Sequence, residues 1–288
     1  PLDRERIGHE ITQLTKITDS ISQSVKNQYE ENPYPVWRDQ GAVSSRTMKE
    51  NLLLQFPHLQ HDNIGFAENP EILCAGCGTG YQPILTARQN RNARVKGVDL
   101  SLTSLSYAEQ KRRELKVENL QFFQADLLGL NDWQERFDLV QCSGVLHHME
   151  APLAGWKVLL GLLKPNGFMQ IGLYSEIARQ TVVRAREFIA DKGYPATLNG
   201  IRQCRHDIQN LADNDPVKVI SYSSDFYSVS DCRDLIFHVM EHRFTLPGIA
   251  EILESFGLVF VGFIDLNPLI LKRYQKRFPQ DKDMIRLE

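Results

Sequence analysis

The feature that most constrains the fold is a regular alternation of short apolar runs and helical stretches between Glu71 and Tyr174. Each run has the length and composition of a strand, and the stretches between several of them have the apolar spacing of a helix. Strands that are joined through helices run parallel within one sheet. The sequence therefore predicts an α/β fold with a doubly wound parallel sheet, whose strands cover residues 72–75, 94–99, 120–124, 137–142 and 168–174.

The flanking segments have other patterns and divide the chain into four parts. Residues 2–29 carry apolar side chains three and four positions apart, which predicts one helical stripe that Pro33 and Pro35 bring to an end. A second short helix is expected over 47–56. The predicted parts are an N-terminal helical lid (1–65), a ligand-binding core (66–175), a mostly helical insertion over the carboxyl edge of the sheet (176–246), and a last helix (248–256) and strand (258–264) of the core with a C-terminal tail (247–288).

Composition limits the classes of partner. The formal net charge is -3 over 288 residues, which gives no electrostatic reason to expect a nucleic-acid partner. No apolar stretch reaches the length of a membrane span, and no signal peptide is visible. The five cysteines are odd in number and lie mostly in apolar contexts, so we expect a reducing compartment, the cytoplasm, and no disulfide framework.

Three glycines follow the first predicted strand. Gly76, Gly78 and Gly80 lie between this strand and a helical stretch, where glycine permits positive φ and close approach of a ligand to the backbone. The spacing is G-x-G-x-G, and Tyr81 stands where the dinucleotide fingerprint has its last glycine. No Gly-Lys-Ser/Thr follows, so the loop also differs from a P-loop. The loop suits a ligand without a pyrophosphate.

Two aspartates follow the next two predicted strands. Asp99 lies about twenty residues beyond the loop, as expected for a carboxylate that accepts hydrogen bonds from ribose hydroxyls. Asp126 ends the third strand, where it could meet an adenine amino group. Each aspartate alone could instead cap the following helix. The three features together, each at a carboxyl strand end, favour a nucleoside site.

These motifs resemble the class I S-adenosylmethionine-dependent methyltransferase superfamily. The similarity is strong over residues 70–175 and rests on 72–80, 97–101, 124–127, 137–148 and 165–168; Cys74 stands where many members carry a polar residue. The resemblance implies a seven-stranded Rossmann-like sheet and S-adenosylmethionine as cofactor. It implies cofactor contacts from Ala75, Gly76, Cys77, Gly78, Gly80, Asp99, Leu100, Asp126, Leu127, Ser143 and Gly144.

A narrower similarity links residues 28–37, 172–175 and 231–244 to bacterial methyltransferase domains that are often attached to tetratricopeptide-repeat segments. This resemblance implies a fused or associated repeat region, and since the chain starts at Pro1 we expect sequence upstream of it. The superfamily sheet ends in a hairpin of strands six and seven. We identify strand six at 258–264 but no strand seven, and we therefore expect strand seven to be missing.

Candidate catalytic and lid residues flank the predicted cofactor site. His147 and His148 follow the fourth strand, and either could be a general base or could hold the loop through backbone hydrogen bonds. Tyr29, Tyr34 and Trp37 could fold over the cofactor, since aromatic rings stack on a sulfonium or an adenine. The alternative is that Tyr34 and Trp37 anchor the N-terminal segment to the core.

The insertion contains the sequence His238-Val239-Met240-Glu241-His242, which has the H-x-x-E-H spacing of inverted zinc peptidases. On a helix, His238 and His242 would share one face. The nucleotide pattern argues against a peptidase, which leaves a metal site, a substrate site or a structural helix. We assign no metal and place the substrate region at Tyr174, Asp225, Tyr227, His238, Glu241 and His242.

Three functions remain open at this point. The leading one is methyl transfer to an oxygen or nitrogen of a small molecule, or of a peptide or protein. The second is a nicotinamide-dependent oxidoreductase on the same architecture, which the glycine spacing disfavours. The third is a catalytically silent module that binds S-adenosylmethionine and regulates a partner.

Overall fold

The computed structural model describes residues 2–35, 37, 41–60 and 64–287. Its centre is one six-stranded sheet with the order β1-β4-β3-β2-β5-β6, in which every pairing is parallel. The strands are β1 (Thr12–Gln13), β2 (Glu71–Ala75), β3 (Arg94–Asp99), β4 (Leu120–Gln124), β5 (Phe137–Ser143) and β6 (Leu163–Gly172). This arrangement confirms the predicted α/β fold.

Eleven α-helices are found in the described part of the chain. They are α1 (Leu2–Glu10), α2 (Ser20–Glu31), α3 (Met48–Gln55), α4 (Tyr81–Gln89), α5 (Leu102–Glu114), α6 (Pro152–Gly161), α7 (Gln180–Lys192), α8 (Leu198–Gln209), α9 (Val229–Ile236), α10 (Leu246–Ser255) and α11 (Pro268–Arg277). None of these helices has the length and apolar character that a membrane span requires. Short 3-10 turns follow β4 and β5 at Leu127–Asp132 and Leu146–His148.

The two faces of the sheet pack against different helices. Ile72 and Cys74 of β2 lie in one apolar cluster with side chains of α4 and α5. Leu73 and Ala75 alternate with them and join a second cluster with α6, against which α10 packs. This alternation follows from the two-residue period of a strand, and it makes the fold doubly wound. The strand order reverses between β2 and β5, so a crevice opens at their carboxyl ends.

The insertion has a hydrophobic cluster of its own, formed by side chains of α7, α8, α9 and the turns before α9. It joins the sheet through backbone hydrogen bonds just beyond β5 and β6. The Phe244 N–H donates to the Tyr174 carbonyl at 2.8 Å, and the His242 N–H donates to the His147 carbonyl at 2.7 Å. The insertion is therefore attached at the carboxyl edge of the sheet, beside the crevice.

The predicted single helix over 2–29 is wrong. Helix α1 ends at Glu10, and Thr12–Gln13 pairs with Phe123 and Gln124 as an edge strand before α2 begins. The exposed edge of β4 offers unpaired backbone groups that this segment satisfies. Glu30 at the end of α2 then accepts from Leu102 N at 2.7 Å, which fixes α2 over the N-terminus of α5.

The predicted strand over 258–264 is also wrong, because these residues belong to no strand. A strand forms only when a neighbour pairs with its backbone groups, and no described segment pairs with this one. Val259 is 87% exposed and Gly262 has a φ of +148°. The sixth strand of the sheet is β1, at the opposite edge from β6.

Candidate active site

A cavity of about 530 Å³ opens at the carboxyl ends of the strands. Its floor is formed by the turns that follow β2 to β6, and its other walls come from the N-terminal segment and from α9 of the insertion. This is the crevice that the reversal of strand order creates. The predicted cofactor loop, strand-end aspartates and histidines all border the same space.

Two positions of the glycine loop have no room for a side chain. Gly76 and Gly78 have φ angles of +66° and +51°. A Cβ on Gly76 would lie 1.9 Å from a methyl carbon of Val145, and one on Gly78 would lie 2.2 Å from the Tyr34 carbonyl oxygen. Glycine is therefore required here both for its conformation and for the close approach of neighbouring segments.

Asp99 is held in place by the loop that it faces. Its Oδ2 accepts from Gly78 N at 2.7 Å and its Oδ1 from Ser101 N at 2.9 Å. Burial raises the pKa of Asp99 above its ordinary value, and the two backbone donors act in the opposite direction. Each carboxylate oxygen retains a further lone pair. Asp99 can thus accept two more hydrogen bonds from a ligand.

Asp126 both caps a turn and lines the cavity. Its Oδ1 accepts from Leu128 N at 3.0 Å, while its own N–H donates to Thr15 Oγ1 at 2.7 Å. Asp126 therefore caps the following turn, as considered from the sequence, and also lines the cavity. Thr15 lies just after β1, so the unpredicted edge strand also positions Asp126.

The N-terminal segment binds the glycine loop directly. Thr79 N donates to the Tyr34 carbonyl at 3.1 Å, and Thr79 Oγ1 donates to the Pro35 carbonyl at 2.6 Å. The Trp37 indole N–H donates to the Thr79 carbonyl at 2.9 Å, and its ring lies edge-on to Tyr81. Tyr29 and Tyr34 line the cavity, whereas Trp37 anchors the segment outside it.

His147 lies against the far wall of the cavity. Its ring stacks on Tyr174 with centroids 3.6 Å apart, and the Arg179 guanidinium lies 3.8 Å from the centroid of that tyrosine ring. The ring nitrogens of His147 are buried and make no hydrogen bond of regular geometry with the described residues, although the Gly172 backbone acts on the ring. Burial lowers the pKa of His147 to about 3, so the imidazole is neutral at pH 7.

His148 has a different environment. Its Nδ1 lies 2.6 Å from the Met240 carbonyl oxygen, and its ring stacks on His238 with centroids 3.4 Å apart. Burial lowers its pKa to about 4. His148 thus bonds a backbone carbonyl, which is one of the two alternatives that the sequence left open. Its ring also lines the cavity.

Asp234 is a cavity residue that the sequence did not indicate. It lies on α9, is 7% exposed, and accepts from the Tyr29 hydroxyl at 2.7 Å. Burial raises its pKa to about 6. Asp234 is the charged residue among the buried residues Cys232, Leu235 and Ile236 of α9. A charge within this apolar set was the sequence feature that could have indicated it.

The helix considered as one alternative for His238–His242 does not form, since α9 ends at Ile236 and residues 237–243 are not helical. Glu241 is instead paired with Arg179, whose Nε lies 3.2 Å from its Oε1 and whose Nη2 bonds the other carboxylate oxygen. His242 contributes its backbone N–H to His147. Glu241 therefore ties together the two ends of the insertion, and His242 joins the insertion to the core.

The structure brings most of the predicted site residues to one cavity. Those that line it are Tyr29, Tyr34, Gly76, Cys77, Gly78, Asp99, Leu100, Asp126, Leu127, Ser143, Gly144, His147, His148 and Tyr174. Those outside its lining are Trp37, Ala75, Gly80, Asp225, Tyr227, His238, Glu241 and His242. Ala75 is buried within β2, and Gly80 packs against Ala108 of α5. Tyr227 is 56% exposed and lies away from the cavity.

Sequence comparisons bear on the same region. Residues 67–216 match a family described as a methyltransferase domain. An uncharacterized protein of Synechococcus sp. is 27% identical over 259 residues, which are 86% of this chain and 61% of that protein. The ubiquinone biosynthesis O-methyltransferase of Alkalilimnicola ehrlichii is 35% identical over 105 residues, 36% of this chain and 41% of that enzyme.

The fold is also found in a solved structure. PKMT2 from Rickettsia typhi, in complex with AdoHcy, superimposes with a TM-score of 0.60 at 20% identity. The match covers 85% of this chain and 50% of that protein. The chain spans about three fifths of the length of the first curated relatives that it matches.

Proposed function

The chain belongs to the family of class I S-adenosylmethionine-dependent methyltransferases, and from this premise we propose that it transfers a methyl group from S-adenosylmethionine to an oxygen or nitrogen atom of an acceptor. The observation that carries the proposal is the single cavity in which the glycine loop, Asp99 and Asp126 face His147, His148 and Tyr174. A transferase must hold its cofactor and its acceptor in one space, since the methyl group passes directly from one to the other.

The residues fit S-adenosylmethionine. In the proposal, the remaining lone pairs of Asp99 accept from the two ribose hydroxyls, and Asp126 accepts from the adenine amino group. Gly76 and Gly78 line the cavity, so their backbone would lie beside the cofactor. The cofactor supplies an activated methyl group on a sulfonium. AdoHcy in the structure of PKMT2 from Rickettsia typhi supports this choice of ligand.

The protein's main contribution to such a displacement is position. The neutral His147 ring lies at the cavity wall, and its low pKa suits it to orient the acceptor rather than to serve as a general base. Tyr29 and Tyr34 line the same cavity from the N-terminal segment. An amine acceptor needs no base once it is neutral, whereas a hydroxyl acceptor must lose its proton.

The family membership removes the basis for the nicotinamide alternative, and no contact in the cavity favours a silent module. The acceptor in our proposal is a small molecule, or a peptide or protein. We also propose a bacterial, cytoplasmic enzyme with a fused or associated tetratricopeptide-repeat region. The five buried, free cysteines are in keeping with a reducing compartment.

The test is methyl transfer from labelled S-adenosylmethionine into a bacterial lysate that has been separated into protein and small-molecule fractions. We expect label in one fraction with the full chain, and none with Asp99→Ala. Asp132→Ala is the matched control, because Asp132 is exposed at the end of the same 3-10 turn that Asp126 caps. Equal labelling by all three proteins would refute the assignment of Asp99.

A further inference from the structure

Three side chains from separate parts of the chain converge beside the cavity. His148 follows β5, Asp234 lies on α9, and His238 lies two residues beyond the end of α9. Each of them offers one ligand atom, and these atoms lie within 4.8 Å of one another. All three residues are at least nine-tenths buried, and His148 and Asp234 line the cavity.

The hydrogen bonds of the two imidazoles define their tautomers. Nδ1 of His148 lies 2.6 Å and Nδ1 of His238 lies 2.8 Å from the same carbonyl oxygen, that of Met240. A carbonyl oxygen can only accept, so Nδ1 of His148 carries hydrogen. At His238 the Met240 N–H also lies 3.2 Å from Nδ1, and the shorter contact of 2.8 Å with the carbonyl oxygen favours hydrogen on this Nδ1 as well. In a neutral imidazole the other nitrogen is then a bare acceptor. Both Nε2 atoms therefore present lone pairs on the side away from Met240.

Within this cluster the hydrogen-bond acceptors outnumber the donors. The Tyr29 hydroxyl lies 2.7 Å from Asp234 Oδ1 and 3.3 Å from His238 Nε2, but it has one hydrogen to donate. No lysine or arginine of the described chain forms an ion pair with Asp234 within 4.0 Å. The Asp234 carboxylate and the His238 lone pair thus share one hydroxyl donor, and the His148 lone pair lies beside them, so the cluster favours a cation.

We propose that His148, Asp234 and His238 bind a divalent transition-metal ion through two Nε2 atoms and one carboxylate oxygen. Imidazole and carboxylate ligands together suit Zn²⁺ or Co²⁺ rather than Mg²⁺ or Ca²⁺, which take oxygen ligands. The surroundings have the form of an outer shell for such an ion: the Met240 carbonyl fixes both imidazoles and Tyr29 fixes the carboxylate.

Metal binding requires the two imidazoles to reorient. Their rings are stacked with centroids 3.4 Å apart and an interplanar angle of 18°, so the stack must open before both lone pairs can point at one ion. Ligand atoms about 2.1 Å from a tetrahedral ion lie about 3.4 Å apart. The three atoms must therefore approach by little more than about an ångström, with the stacked His148 and His238 rings tilting apart. A fourth position would remain for water or for an atom of the acceptor. That last function rests on the proposed methyl transfer, whereas metal binding itself does not.

The test uses the full chain after removal of metals with a chelator. We expect one equivalent of Zn²⁺ to bind in calorimetry, and one equivalent of Co²⁺ to give the visible absorption of a tetrahedral site. Asp234→Asn and His148→Gln each remove a ligand and should weaken Zn²⁺ binding by more than about 100-fold, because even outer-shell changes cost 10- to 100-fold.

His242→Gln is the matched control. It changes the other histidine of the H-x-x-E-H sequence, which lies in the same segment but outside the cluster. Zn²⁺ affinity should stay unchanged in this variant. Loss of binding in His242→Gln together with unchanged binding in Asp234→Asn would overturn the proposal, as would absence of Zn²⁺ and Co²⁺ binding by the folded wild-type chain.

Two further measurements keep the outcome clear. If a ligand variant does not fold by circular dichroism, Tyr29→Phe replaces it and should weaken Zn²⁺ binding about 10-fold. Unchanged Zn²⁺ affinity in that variant would count against the site. A protonated amine would donate hydrogen bonds to the same carboxylate and imidazole lone pairs. Binding of n-butylamine without binding of Zn²⁺ would therefore overturn the metal site and assign the cluster to an amine substrate.

S-adenosylmethionine is titrated into the same samples. Binding of S-adenosylmethionine without metal binding would refute the metal site alone. Metal binding without S-adenosylmethionine binding would leave the metal site standing and refute the proposed function.

Discussion

Replacement of Glu241 by glutamine should destabilise the protein by about 3 kcal/mol. The Glu241 side chain is 1% exposed and that of Arg179 is 11% exposed, and the guanidinium contacts both carboxylate oxygens. Arg179 also donates to the Leu235 carbonyl at 3.1 Å, so it cannot turn toward solvent without losing a further bond. Glutamine keeps the shape of the site but leaves a buried arginine without its counter-charge, which typically costs about 3–5 kcal/mol.

Arg243 provides the control. It lies 3.6 Å from Glu241 and is about one-third exposed, so Arg243→Gln should cost at most about 1 kcal/mol. The double variant Arg179→Met with Glu241→Leu should recover part of the loss, because a buried ion pair can often be replaced by apolar side chains of similar size. Recovery should be incomplete, since the bond to Leu235 is absent.

The assay is urea denaturation followed by circular dichroism and by tryptophan fluorescence, with the free energy of unfolding taken from coincident transitions. A cost below about 1 kcal/mol for Glu241→Gln, equal to that of Arg243→Gln, would refute the reasoning. It would mean that Arg179 finds solvent or another partner when the carboxylate charge is removed.

Three other outcomes follow from the same structure. Gly78→Ala should cost about 2–4 kcal/mol of unfolding free energy in urea denaturation, because φ is positive and the new Cβ would clash with the Tyr34 carbonyl. Gly144→Ala, where φ is also positive but the space is open, should cost about 1–2 kcal/mol, and equal costs would contradict the packing of the loop. Glu30→Ala removes acceptors for Leu102 N and Thr103 N and should speed proteolysis of α2 at a cost of about 1 kcal/mol; unchanged cleavage would show that α2 is held by other contacts. Burial raises the pKa of Cys142, Cys204 and Cys232 to about 12 each, so iodoacetamide at pH 8 should label these thiols only in denaturant, and rapid labelling of the native chain would contradict their burial.

The strands between Glu71 and Ser143 were predictable because their signal is local. Apolar runs of four to six residues bounded by glycines and polar turns place β2 to β5 within a residue of their observed limits. Strand β6 starts earlier than predicted, since Leu163 already pairs with Phe137 and the turn at Asn166 forms an irregularity within the strand. The glycine loop and the strand-end aspartates were predictable for the same local reason.

The predictions that failed concern segments whose structure depends on residues far away in the sequence. Thr12–Gln13 is too short to have a period, and it becomes a strand because β4, more than one hundred residues later, offers an unpaired edge. Residues 258–264 have a strand composition but no described neighbour that pairs with them. Asp234 meets Tyr29 and His238 only after the insertion has folded over the N-terminal segment. Such encounters are properties of tertiary structure, which sequence spacing does not encode.

The most direct test of the account is calorimetric titration of the full chain with S-adenosylmethionine, repeated with Asp99→Ala. We predict micromolar binding to the wild-type chain and a loss of about 100-fold or more in Asp99→Ala, because two hydrogen bonds to a charged group contribute about 3 kcal/mol. Asp132→Ala should bind like the wild type. A folded chain that does not bind S-adenosylmethionine, or that binds it equally well without the Asp99 carboxylate, would contradict the central claim.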